Sequence, residues 1–144
     1  MFRVTRRYQF AASHRLHAPQ LSDEENRRLY GKCNNPFGHG HNYVLEVSAR
    51  GPADERTGCA VEVAALDEFI RREVLAPFDH RNLNEDVNSF QGLSPTSENL
   101  LAEIFRRLKQ NWRSVFPGDW PILERVRIAE TPRNIFEMDS HEIG

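Results

Sequence analysis

With 144 residues, 39% of them hydrophobic, the chain can bury roughly two thirds of the surface its unfolded form exposes, so no metal is needed merely to hold it together. A formal charge of −2 excludes the basic stripe of a general nucleic-acid binder, although 17 of the 19 basic residues are Arg (only Lys32 and Lys109 are Lys), a residue suited to phosphate and carboxylate contacts. No apolar run approaches the ~20 residues of a membrane span, Met1 to Phe10 lacks a signal peptide's apolar segment, and two cysteines are too few for a secreted disulfide framework; the expectation is one cytoplasmic domain over residues 1–144 with free thiols.

From Phe2 the even positions Phe2, Val4, Tyr8, Phe10, Ala12 and His14 alternate with Arg3, Thr5, Arg7, Gln9 and Ser13, interrupted only by Arg6. This predicts a half-buried strand with His14 on its apolar face, at the end. A polar excursion, His17 to Lys32, follows, and the capping-box pattern Ser22-Asp23-Glu24-Glu25 predicts one or two turns of helix through Leu29. The odd positions His39, His41, Tyr43, Leu45, Val47 and Ala49 form the more apolar face of a second long strand. Gly51 to Gly58 is turn material, and Cys59 to Val63 reads as a short third strand, with Cys59 a small core residue beside Val61 and Val63.

Leu66, Phe69, Ile70 and Val74 fall at helical spacing, and Pro77 is expected to stop that helix. After the irregular stretch Phe78 to Ser94, either Thr96 or Ser94 caps a second helix whose stripe is Leu100, Leu101, Ile104, Phe105, Leu108 and Trp112. Ile122 to Glu130 alternates as a strand, Thr131 to Asn134 turns, Ile135 to Met138 returns, and the tail from Asp139 is expected to fray. This segregation of strands and helices predicts an α+β fold, an antiparallel sheet with two helices packed on one face. The other face, carrying Arg3, Thr5, Arg7 and Gln9, is polar enough to be wet or to line an aqueous space.

The chemistry is concentrated in Cys33-Asn34-Asn35-Pro36-Phe37-Gly38-His39-Gly40-His41. Two residues apart on a strand, His39 and His41 project from one face and can grip one metal ion, with His14 as a third imidazole. Three protein ligands leave a fourth position for substrate or water, as in catalytic zinc; with Cys33 as fourth ligand the site closes and becomes structural. Asp79-His80 lies in irregular chain, either as a proton-exchanging pair or as part of a polar loop with Asn82 and Asn84. Cys33 becomes a base or nucleophile if a nearby cation lowers its thiol pKa; otherwise it is an inert loop thiol. Glu130, at a strand end on the face of Val126 and Ile128, needs a partner or a ligand, and a carboxylate can accept two parallel N–H bonds from a guanidine-like ring edge. Glu98, in the first turn of the second helix, is accounted for by the helix dipole, and His17 and His141 read as solvent residues. No glycines form a GxGxxG fingerprint, so neither NAD nor flavin is expected.

Taken in order, Ala12-Ser13-His14-Arg15-Leu16, the run Gly31 to Tyr43, Asp79-His80-Arg81-Asn82-Leu83, Thr96-Ser97-Glu98-Asn99 and Glu130-Thr131 resemble the 6-pyruvoyltetrahydropterin synthase family over nearly the whole chain. The resemblance implies that His14, His39 and His41 bind one zinc ion per subunit. It implies also that Cys33, Asp79 and His80 transfer protons and that Glu130 anchors a pterin, with Thr96, Ser97 and Glu98 nearby. It further implies a tunnelling fold, in which subunits join their sheets into a barrel as a hexamer of two stacked trimers, with active sites between subunits. The implied substrate is 7,8-dihydroneopterin triphosphate, with Mg²⁺ as a candidate companion of its phosphates.

Two sister branches compete. The 6-carboxytetrahydropterin synthases of deazapurine (queuosine) biosynthesis resemble this chain but typically have a shorter Cys-to-His-Gly-His interval than the six residues from Cys33 to His39. A branch tied to folate synthesis typically has Glu at or near the cysteine. From a different class, the chain could be a non-catalytic, zinc-stabilised assembly module.

Overall fold

The structure, a computed structural model, describes residues 1–140; His141 and the last residues of the tail lie outside that range. Two long strands, β1 (Phe2–His14) and β2 (His39–Gly51), pair antiparallel in one register from Phe2 opposite Gly51 to His14 opposite His39. Two further strands, β4 (Ile122–Thr131) and β5 (Asn134–Asp139), continue the sheet beyond β2, and the two-residue β3 (Arg81–Asn82) lies on the other side of β1. The sheet is therefore ordered β3-β1-β2-β4-β5.

One face of this sheet is apolar by alternation: Phe10 and Ala12 on β1, Tyr43, Leu45, Val47 and Ala49 on β2, and Val126 and Ile128 on β4 are all buried. Helix α2 (Val63–Ile70) and helix α3 (Ser97–Val115) cover it, contributing Leu66, Phe69, Ile70, Leu100, Leu101, Ile104, Phe105, Leu108 and Trp112. The expected stripes are thus the buried ones, and the α+β class with its helices on one face holds. Arg6, the break in the β1 alternation, is satisfied by α2: its guanidinium grips Asp67, to which Tyr8 also donates at 2.6 Å. Across the opposite face run ion pairs, Arg3 with Glu124, Arg7 and Arg127 with Glu46, and Arg125 with Asp139.

Four expectations need correction. Cys59 to Val63 forms no strand: Val61 is buried, but Cys59 is exposed in a loop organised by Asp54, and α2 already begins at Val63. Alternation over so short a run cannot tell a strand from a loop that buries one residue. The small strand is instead Arg81–Asn82, parallel to Ala12 and Ser13, so the sheet is not wholly antiparallel. Pro77 does not end its helix. The chain widens into a π turn over Arg71–Leu75, where the missing N–H of proline would break the regular ladder, and continues through Phe78, which it buries completely. The tail is ordered at Asp139, whose carboxylate accepts from Arg125 Nε at 2.6 Å.

Outside the sheet, helix α1 (Asp23–Tyr30) starts with the full capping box of Ser22 and Glu25. Buried Asn26 holds the excursion before it, accepting from Ala18 N–H and donating to the carbonyls of Ala18, Leu21 and Ser22.

The position of Asp79 and His80 depends on α3. Arg107 lies over the Phe78 ring, 4.7 Å from its centroid, and donates to Glu103, which also receives Arg106 and Ser89. Burial alone would raise the pKa of Glu103, but the bonds from Arg106, Arg107 and Ser89 hold it down to about 2. A carboxyl depressed in the folded state contributes stability that is full above its ordinary pKa of 4.5 and is lost as pH falls towards 2. Glu103→Gln is therefore expected to lower stability at pH 7 by about 1–3 kcal/mol. In urea unfolding the gap between variant and parent should narrow below about pH 4.

Candidate active site

At the end where β1 stops and β2 begins, four side chains converge. His14, Cys33, His41 and Glu130 each offer one ligand atom, and these atoms lie within 4.8 Å of one another. Strand register supplies the histidines: Ala12 faces His41 and His14 faces His39 across the β1–β2 pair. Glu130 arrives on β4, two residues beyond buried Ile128 on the same face. Cys33 comes from a single 3-10 turn, Gly31–Asn34, followed by a turn closed by Gly38 N–H to the Asn35 carbonyl at 2.8 Å. Gly38 has φ 81°, and a Cβ there would meet the His14 carbonyl oxygen at 2.9 Å, so this loop lies directly on the strand end that carries His14.

The distances are those of a cation site. Cys33 Sγ is 3.3 Å from His14 Nε2 and 3.5 Å from His41 Nε2; the two Nε2 atoms are 3.1 Å apart, and Glu130 Oε1 is 3.3 Å from His41 Nε2. Two imidazole nitrogens so close need a proton or a cation between them. His14 is fully buried, and its Nδ1 donates to the Pro95 carbonyl at 3.0 Å, which leaves Nε2 as a lone pair aimed at the cluster. Burial, then the neighbouring His41, lowers the pKa of His14; burial also lowers that of His41, opposed by Glu130. Both shifts favour the neutral imidazole, the form that can bind a metal. Burial, then Glu130, raises the Cys33 thiol. Imidazole, thiol and carboxylate are the donor types of zinc and neighbouring first-row metals, so the residues fit a metal ion.

His39 stands beside these four and is not one of them. Its ring is edge-on to that of His41, with centroids 4.8 Å apart. Ser97, buried in the first turn of α3, donates from Oγ to Glu130 Oε2, while Thr96 caps the helix by accepting from Asn99 N–H at 3.2 Å and Glu98 is exposed. Asp79 and His80 dock on the edge of β1. Asp79 Oδ1 accepts from Ala11 N–H at 2.8 Å and lies 3.1 Å from His80 Nδ1, and His80 N–H donates to the Ala11 carbonyl at 2.6 Å. His80 has φ 59°, rare for a residue with a side chain, and lines a cleft with Ser13, Gly40, His41 and Asn42. Among the described residues no hydrogen bond joins this pair to Cys33 of the same chain.

The 6-pyruvoyl tetrahydropterin synthase family model matches residues 3–141. The chain belongs to that family. It is 44% identical to the 6-pyruvoyl tetrahydrobiopterin synthase of Drosophila melanogaster over 92% of this chain and 76% of that one. With the human enzyme of the same name it shares 42% over 92% and 87% of the two chains. The structure of the Caenorhabditis elegans 6-pyruvoyl tetrahydropterin synthase superposes with a TM-score of 0.82 at 42% identity, covering 96% of this chain and 95% of that one.

Three contributors escaped the sequence reading. Tyr43, on the same face two residues after His41, has its hydroxyl 3.4 Å from His14 Nδ1, and alternation could have flagged it. Pro95 acts through its carbonyl, 81 positions from His14, and leaves no sequence signal. His17, read as a solvent residue, is half-buried and accepts from Asn34 Nδ2 at 3.2 Å.

If Glu130 helps keep the Cys33 thiol protonated, Glu130→Gln should lower that thiol's pKa in chelator-treated, ion-free protein. Thiolate absorbance against pH in a Cys59→Ser background reads this directly; an unchanged titration would exclude Glu130 as a cause.

Proposed function

We propose that the chain, as one catalytic domain over residues 1–144, converts 7,8-dihydroneopterin triphosphate to 6-pyruvoyltetrahydropterin and triphosphate. The observation that carries this reading is the six-residue interval from Cys33 to His39, folded as a 3-10 turn and a β-turn so that the thiol reaches His14 and His41 beside the Glu130 carboxylate. The names of the relatives at 42–44% identity agree with it, and the cysteine favours it over the branch with glutamate at that position.

In this reading His14, His39 and His41 hold zinc, His39 being directly opposite His14 in the strand register and packed against His41. When bound, zinc supplies Lewis acidity towards the two side-chain hydroxyls of the substrate. Cys33, whose thiol pKa a cation bound beside it would lower, removes a proton from the side chain as a thiolate. Glu130, fixed by Ser97, accepts the guanidine-like edge of the pterin, with Thr96 and Glu98 flanking. Asp79 and His80 relay protons as the side chain tautomerises. Among the described residues no hydrogen bond joins them to Cys33 of their own chain, and in this reading they serve the Cys33 of a neighbouring subunit in a hexamer of two stacked trimers. Oxidation of the first carbinol to a ketone passes two electrons to the ring, which ends in its tetrahydro form. Breaking the C–O bond at the third carbon releases triphosphate and leaves an enol, whose tautomerisation gives the second ketone and a methyl group. The redox change is internal, so no nicotinamide or flavin enters; Mg²⁺ is a candidate companion of the phosphates.

Among the described residues no helix is long and apolar enough to cross a membrane. We place the enzyme in the cytoplasm, where both cysteines stay reduced.

Three measurements test this. Incubation with dihydroneopterin triphosphate should give the pyruvoyl product, whereas acetaldehyde release with a carboxypterin would assign the chain to the sister activity. Cys33→Ala should keep its zinc and oligomeric state while turnover falls about 10²-fold or more. His39→Ala should lose most of its zinc by elemental analysis. Zinc lost from Cys33→Ala and retained in His39→Ala would reverse the two roles and favour a closed, structural site.

A further inference from the structure

We propose that Asn34 is a positioning residue for the Cys33 thiol, acting through a clasp with the chain just beyond His14. The proposal rests on the reading of Cys33 as the base. Asn34 is one of few buried polar residues, and both hydrogens of its amide are committed: Nδ2 donates to the Leu16 carbonyl at 2.6 Å and to His17 Nδ1 at 3.2 Å. No amide hydrogen is left for a substrate. The backbone on either side of its Cα is held as well. Leu16 N–H donates to the Cys33 carbonyl at 2.7 Å, and Arg15 Nε donates to the Asn34 carbonyl at 3.3 Å.

Four hydrogen bonds therefore stitch residues 33–34 to residues 15–17, and β1 ends one residue earlier, at His14. The 3-10 turn that carries the thiol has no side-chain cap of its own. What sets the 3.3 Å separation of Cys33 Sγ from His14 Nε2 is this clasp, together with the close seat of Gly38 on the His14 carbonyl at the far end of the loop. The Leu16 segment is itself anchored from behind. Asn84 accepts from Arg15 N–H at 2.7 Å and donates to the Arg15 carbonyl at 3.0 Å. Base and metal-site imidazole thus share one reference frame, and a misplacement of about 1 Å in such a frame can cost about 10²-fold in rate.

The test compares two variants with a control, all zinc-loaded and full-length. Asn34→Ala removes the side chain, and Asn34→Asp keeps its shape while losing the donor to Leu16, so one can report if the other fails to fold. Asn26→Ala is the control: it removes a comparably bonded buried asparagine whose hydrogen bonds go to the Ala18–Ser22 excursion and not to the thiol loop. Iodoacetamide labelling of Cys33 is read against the exposed Cys59 as internal reference.

Both Asn34 variants should shift the Cys33-to-Cys59 labelling ratio at least about fivefold, retain zinc, and lose about tenfold or more in kcat with KM within about threefold. Asn26→Ala should lose stability without either change. An unchanged ratio, or an equal loss of kcat in Asn26→Ala, would overturn the proposal. A shifted ratio with full turnover would support the clasp and overturn instead the reading of Cys33 as base.

Discussion

An unbroken antiparallel register, running from Phe2 opposite Gly51 to His14 opposite His39, is the constraint on which the site depends. It puts Phe10, Ala12, Tyr43, Leu45 and Val47 under the helices and, by the same alternation, delivers His14, His39 and His41 to the apolar face at the strand end. A slip of one residue would turn every one of these side chains to the other face. Core packing and the geometry of the candidate metal site are thus one choice, because the apolar residues that lock the register also place the imidazoles.

Around that fixed pair the remaining site groups come from elements of different rigidity. Glu130 rides on β4 and is held by Ser97 at the start of α3, both parts of the core. Cys33 rides on a short turn and owes its place to hydrogen bonds with the chain after His14. Asp79 and His80 leave a helix end beneath which Phe78 is fully buried, and they hang on the β1 edge by Ala11. In the proposed reading, the groups that bind are set in the sheet and the groups that move protons sit on loops pinned to it.

Much of this was legible in the sequence because period-2 alternation and helix caps are local signals. The strands from Phe2 and His39, the Ser22 capping box and the α3 stripe follow from residues within a few positions of one another. What was missed is non-local. Parallel pairing of Arg81–Asn82 with β1, the Pro95 carbonyl behind His14 and the Asn34 clasp depend on chain segments far apart in sequence. Cys59 failed for another reason: its neighbour Val61 is buried, and a single buried residue imitates the start of an alternating strand. In the site, sequence brought forward His14, Cys33, His41 and Glu130, and the structure gathers those four. In the proposed reading His39 completes the zinc ligand set and Cys33 is kept for chemistry.

Zinc K-edge X-ray absorption on the loaded enzyme addresses that division of labour without mutation or substrate. A first shell of nitrogen and oxygen at about 2.0–2.1 Å with no sulfur is the result expected if three imidazoles bind the metal and the thiol is free for chemistry. A sulfur scatterer at about 2.3 Å would contradict the account and make Cys33 a ligand.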